Sequence, residues 1–139
     1  MILNRQRRVR LSLAPLEEFF ERVRRELDFP EESVTVQLIG DAAMARLNRG
    51  FRHKPGPTDV LSFPANGDGK AAKSGYVGDI AISPETARRN ARRYSRTLPD
   101  ELRILILHGM LHLAGYDHET DRGEMNRVER RLRRRLRVR

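Results

Sequence analysis

The sequence predicts a single α+β domain, α/β in type: a mixed sheet of about four strands packed with about five helices, with a metal site at the end of a buried helix. Three observations predict it. The 139 residues are one domain's length and enough to bury a core. Short apolar segments of period two alternate with longer ones of helical period. Capping residues, glycines and prolines punctuate the boundaries, with no internal repeat and no interdomain linker.

Residues 1–10 read as an edge strand, with Ile2, Val9 and Leu11 apolar among charges. Ala14 to Leu27 places Leu16, Phe19, Phe20, Val23 and Leu27 at helical spacing, with Pro15 in the first turn and Phe29-Pro30 as the stop. Ser33 to Ile39 alternates Val34, Val36 and Leu38 with polar residues, a strand. Gly40-Asp41 opens a short helix with Met44 and Leu47 inward and Gly50 near its end. Residues 52–58 hold two prolines and a glycine, a loop; Asp59 to Phe63 is a strand stopped by Pro64. The small polar residues 65–75 join it to a further strand, Tyr76 to Ile82. Ser83-Pro84-Glu85 supplies an N-cap hydroxyl, a proline at the first helical position and an acid in the first turn of a helix reaching about Tyr94. Pro99 opens a helix to Ala114, closed by Gly115, and Asp121 caps a last one striped by Met125, Val128, Leu132 and Leu136.

Composition excludes several function classes. Cysteine is absent, so a disulfide scaffold, a cysteine nucleophile and a thiolate metal site are excluded. The longest apolar run, Ile104 to Leu107, falls far short of the ~20 residues of a membrane span. The N-terminus carries no signal-like apolar stretch. The expectation is a cytoplasmic protein with no membrane partner. The net charge of +9 comes from the ends. Residues 1–10 carry four arginines and no acid, and residues 122–139 carry nine arginines against two acids. The stretch between holds 15 basic and 17 acidic residues. Basic ends of this kind are either a nucleic-acid footprint or a solvated helix face with a frayed tail.

Three of the four histidines fall within eleven residues, His108, His112 and His118. A separation of four puts His108 and His112 on one face of a helix whose other positions are apolar nearly all round. Buried imidazoles need partners, and a shared metal ion satisfies both at once. Gly115 turns the chain and brings His118 back toward the other rings. Three histidines leave an open fourth position, the pattern of a catalytic rather than a structural zinc. One Zn²⁺ is the expected cofactor, with another first-row divalent ion able to substitute. The competing explanation is three hydrogen-bonded core histidines. The spacing also matches the helix-and-turn ligand pattern of metzincin proteases, except that Gly109 stands where those enzymes carry their glutamate base.

The string His108 to His118, with Glu119 after it, closely resembles the signature of the YbeY family of bacterial endoribonucleases. Leu47 to Arg52 followed by Pro57 to Pro64 resembles that family's second signature, and Gly78 to Ser83 its third. The resemblance covers about residues 1–125, with the motifs in the family's order. It implies a single domain over residues 1–139, ending in a basic helix and tail at about 121–139. It implies a metal on His108, His112 and His118, and a catalytic role for Arg52 together with His108. It implies single-strand-specific cleavage of RNA, maturation of the 3′ end of 16S ribosomal RNA, and ribosome quality control. The implied partners are ribosomal RNA and the small ribosomal subunit with its proteins; DNA is not expected. Two other functions remain open: a metzincin-like hydrolase of another substrate, and a non-catalytic ribosome-assembly factor with a structural metal.

The remaining residues divide by chemistry. A guanidinium at Arg52 suits the negative charge that builds on a phosphodiester under attack. Arg88 and Arg92, in a group with Arg89, Arg93 and Arg96, have the spacing to follow a phosphate backbone, and Arg130 and Arg134 of the basic end are candidates for the same task. Aromatics are few, so recognition rests on phosphate and shape. Asp117 either orients a ligand imidazole or stabilises the turn. His53 reads as a loop residue, and Asp59 as a structural one fixing the loop 52–58.

Overall fold

The computed structural model describes residues 1–65, 75–117 and 121–138. The stretch 66–74, within the expected 65–75 loop, and residues 118–120, among them His118 and Glu119, lie outside the described residues.

Among the described residues nine elements follow in order: β1 (Ile2–Asn4), α1 (Leu13–Glu26), β2 (Val34–Leu38), α2 (Asp41–Arg52), β3 (Val60–Pro64), β4 (Gly78–Ile82), α3 (Pro84–Arg93), α4 (Leu98–Leu113) and α5 (Glu124–Arg135). The strands form one mixed sheet in the order β1-β2-β4-β3. β1, β2 and β4 run parallel, and β3 pairs antiparallel with β4. Among the described residues the fold is the predicted α+β domain, with four strands and five helices. Pro64 ends β3 at the sheet edge, where a missing backbone donor costs no ladder bond.

Side-chain alternation assigns the two faces of the sheet. Val34, Val36, Leu38, Ile80 and Ile82 point into the main core with α1, α4 and α5. Leu61, Phe63 and Ala81 point the other way, against Met44, Leu47 and Ala43 of α2. The helix α4 is the centre of the main core: ten of its sixteen residues are buried, and it packs against α1, α3, α5 and the β3–β4 pair. Its one buried acid, Glu101, is paired with Arg96 at 3.1 Å.

Ser83 caps α3 as predicted, accepting from the Thr86 amide at 3.3 Å. The first strand covers only Ile2–Asn4 of the expected 1–10, because beyond it the Gln6 and Val9 amides donate to the side chains of Asn4 and Gln6 at 3.3 and 2.9 Å, and three helix boundaries also differ for local reasons. α1 stops at Glu26 because Asp28 turns left-handed (φ 54°) and the Phe29 amide returns to the Arg24 carbonyl, two residues before the proline. α2 runs past Gly50, so Arg52 is its last helical residue and not a loop residue, and His53 (φ 55°) ends it. α5 begins at Glu124, while the Asp121 carboxylate still caps it through the amides of Gly123 and Met125 at 2.8 Å each.

The basic C-terminal segment is not a detached tail. Leu132, Leu136 and Val138 are buried in the main core, and the Val138 amide bonds back to the Arg133 carbonyl at 2.8 Å. Arg135 pairs with Glu26 of α1 at 2.8 Å.

Candidate metal centre

One helical turn separates His108 from His112, and both rings leave α4 on its one accessible stripe. The expectation of buried imidazoles therefore needs correction. The helix is buried, but the His108 side chain keeps 28% of its surface exposed.

The rings meet edge to face, centroids 4.7 Å apart, with Nε2 of His112 3.2 Å from Nε2 of His108. Two nitrogens bound to one tetrahedral zinc, each about 2.0–2.1 Å from it, stand about 3.3 Å apart. The opposite edge of His108 faces α5: its Nδ1 lies 3.0 Å from Oε1 of Glu129, and because an ionised carboxylate can only accept, the ring proton of this contact belongs on Nδ1. With the proton on Nδ1, Nε2 presents a lone pair toward His112. Two imidazole nitrogens brought this close need a proton or a cation between them. The donor set thus fits a divalent metal. Among the described residues no three metal-ligating groups converge; His118, the third of the spacing, lies outside them.

The chain leaves α4 through a tight turn. Gly115 is left-handed (φ 99°), its amide bonding to the His112 carbonyl and that of Tyr116 to the Leu111 carbonyl. A side chain at that φ is strained, which is why glycine closes the helix here. Asp117 accepts from the Asp121 amide through its carbonyl at 3.0 Å.

Gly109 lies on the sheet side of α4. A Cβ there would stand 3.0–3.3 Å from Ile80 and from the Ser62 hydroxyl, and that hydroxyl donates to the Gly109 carbonyl at 3.1 Å. The helix comes this close only because position 109 has no side chain. The same contact ties the helix that carries His108 and His112 to β3.

Arg52 is exposed at the end of α2, on the opposite face of the sheet from α4. The structure does not bring it into contact with His108. It places it at the β3 edge, since the Phe51 ring packs edge-on to Phe63 with centroids 4.9 Å apart, and Ser62 next to Phe63 touches Gly109. Asn48 holds the loop behind Arg52, donating to the Gly56 carbonyl at 3.0 Å. His53 is exposed, as a loop residue is. Asp59 is structural, but it binds the Val60 amide at 2.8 Å and Asn90 of α3 at 3.1 Å more than the preceding loop.

Arg88 and Arg92 are exposed on α3. Two members of the same group have other tasks: Arg89 pairs with Asp41 at 2.8 Å, and Arg96 with Glu101. Arg130 and Arg134 are exposed on α5, where they line an open groove of about 650 Å³ with Arg127, Arg131, Arg133 and Val138.

A family model described as Endoribonuclease YbeY matches residues 1–137, beyond the C-terminal limit of the motif resemblance. The chain belongs to the YbeY family. Among its relatives is the endoribonuclease YbeY of Solibacter usitatus, 46% identical over 121 residues, covering 87% of this chain and 77% of that protein. The endoribonuclease YbeY of Koribacter versatilis is 44% identical over 138 residues, 99% of this chain and 86% of that one. The solution structure of TM1509 from Thermotoga maritima superimposes with a TM-score of 0.66 at 31% identity, covering 98% of this chain and 89% of its own. No helix among the described residues is long and apolar enough to cross a membrane.

The sequence alone does not point to Glu129. It is one of two acids on a helix of arginines and reads there as a solvated charge. Its one signal is position, four residues after the buried Met125.

Proposed function

We propose that this member of the YbeY family is a metal-dependent endoribonuclease that cuts single-stranded RNA in the cytoplasm. Its substrate is ribosomal RNA, at the 3′ end of the 16S molecule, and it works in ribosome quality control on the small subunit. The observation that carries the reading is the facing pair of Nε2 atoms on α4, 3.2 Å apart, in a chain whose relatives are endoribonucleases.

His108, His112 and His118 hold the metal, zinc in this reading. Zinc bound there supplies Lewis-acid polarisation of a phosphoryl oxygen. The chain's own residues do the rest. Glu129 holds the His108 ring, and Gly109 lets α4 press against β3. Arg52, from across the β3 edge, neutralises charge building on the phosphoryl oxygens, which preorganised donors do better than water. Arg88, Arg92, Arg130 and Arg134 hold phosphates away from the cut.

A metzincin-like peptidase is disfavoured by Gly109, because the position for its base faces the sheet. Purified protein, its His108→Ala variant and chelated wild type are compared on a labelled single-stranded RNA and on a peptide library. The expected result is RNA cleavage by untreated wild type alone. Equal cleavage by all three sinks the proposal, and metal-dependent peptide turnover with intact RNA replaces it. An Arg52→Glu variant that keeps metal, has lost cleavage and still restores ribosome maturation in cells favours a non-catalytic assembly factor.

A further inference from the structure

We propose that Glu129 is the positioning residue of the metal centre, holding His108 in the tautomer and orientation that a metal requires; this rests on the metal reading above. The carboxylate reaches the ring from a different helix, 21 residues along the chain, at 3.0 Å from Nδ1. It is mostly buried, with 17% of its side chain exposed, where a carboxylate without a partner would be costly. Its position is built in. Met125 and Leu132 seat α5 in the core on either side of it, and the Asp121 carboxylate fixes the start of the helix through two amides.

An acceptor at Nδ1 keeps the ring proton there and leaves Nε2 free of it, on the side that faces His112. A carboxylate behind a metal-bound imidazole also raises its basicity and restricts its rotation. One helix therefore serves two ends. Arg130, the next residue, is exposed on the outer face of α5, while Glu129 points inward to His108. RNA held by that face bears on the same helix that sets the His108 ring.

The competing role is an ordinary ion pair joining α4 to α5. Zinc affinity of the full chain separates the two, measured by competition with a chromophoric chelator, beside the melting temperature of the metal-free protein. The variants are Glu129→Gln, which keeps an acceptor for Nδ1–H but loses the charge, and Glu129→Leu, which loses both. The zinc Kd is expected to rise about 10- to 100-fold in Glu129→Leu and by less in Glu129→Gln. Both variants within about threefold of wild type overturn the proposal, whatever happens to the melting temperature; an equal loss in the two does so as well. If Glu129→Leu does not fold, Glu129→Gln decides, with about threefold weaker binding upholding the proposal and anything less overturning it. His112→Ala is the control. If wild type binds zinc no better than that variant, the metal reading itself fails, and the positioning role falls with it.

Discussion

Gly109 shows how one atom's absence shapes the centre. In a protease with this histidine spacing the position after the first ligand carries the general base. Here it packs on Ile80, which is 1% exposed and has no room to give. Two effects oppose each other in Gly109→Ala. Alanine gains about 1 kcal/mol of helix propensity. Overpacking a filled core costs about 1–3 kcal/mol. With Cβ contacts at 3.0–3.1 Å to a buried isoleucine, the second wins, and a net loss of about 1 kcal/mol is expected by urea unfolding. Gly109→Glu cannot restore a peptidase base. It drives a carboxylate into the sheet, and the expected outcome is loss of folded protein by circular dichroism, with no peptide turnover. A folded Gly109→Glu protein would show that α4 is not pinned as closely as the Ser62 and Ile80 contacts say.

At the scale of the element, α5 joins the arginine face to the core, so charge and fold must be tested by different changes. Truncating residues 133–139 removes Leu136 and Val138 from the core and frees the end of the helix that carries Glu129. Loss of two buried aliphatic side chains costs on the order of 3–6 kcal/mol, at about 1.5–3 each. The truncated protein should therefore melt lower and bind less zinc, which elemental analysis reads directly. The double variant Arg130→Glu and Arg134→Glu changes only exposed residues. It should keep its zinc and its melting temperature, yet bind single-stranded RNA more weakly. The slope of log K against log salt should flatten by about 1.4, from two lost contacts at about 0.7 each. An unchanged slope would take this face out of the RNA footprint.

Across the whole molecule, what was legible followed the range of the interactions. The Val34–Val36–Leu38 alternation and the Ser83-Pro84-Glu85 cap are local, and both elements formed where the pattern placed them. The His108–His112 pair was legible because a helix fixes the geometry of residues four apart. The strand order and the partnership of His108 with Glu129 were not, because each depends on residues far apart in sequence. The same holds for Asp41, which reads as a helix start and proves to be a clamp. Its carboxylate accepts from the Ser83 hydroxyl at 2.6 Å, the Thr86 hydroxyl at 2.8 Å and Arg89 at 2.8 Å. Glu85 in turn accepts from the Asp41 amide at 3.0 Å. This network ties α2, which packs on the face of the sheet opposite the main core, to α3.

Burial alone would raise the Asp41 pKa, but the hydrogen bonds from Ser83, Thr86 and Arg89 outweigh it and hold the carboxyl below its ordinary value of 3.8. A carboxyl depressed in the folded state contributes stability that is present above the unfolded value and lost as pH falls through the folded one. Asp41→Asn should thus cost about 1–3 kcal/mol at pH 7, the worth of hydrogen bonds to a charged group. The gap between variant and wild type should narrow as pH drops below 3.8, because the wild-type carboxyl is then being protonated as well. Urea unfolding of both proteins at neutral pH and down through that range measures the gap. A difference that stays constant with pH would mean that the clamp works through shape and not through charge.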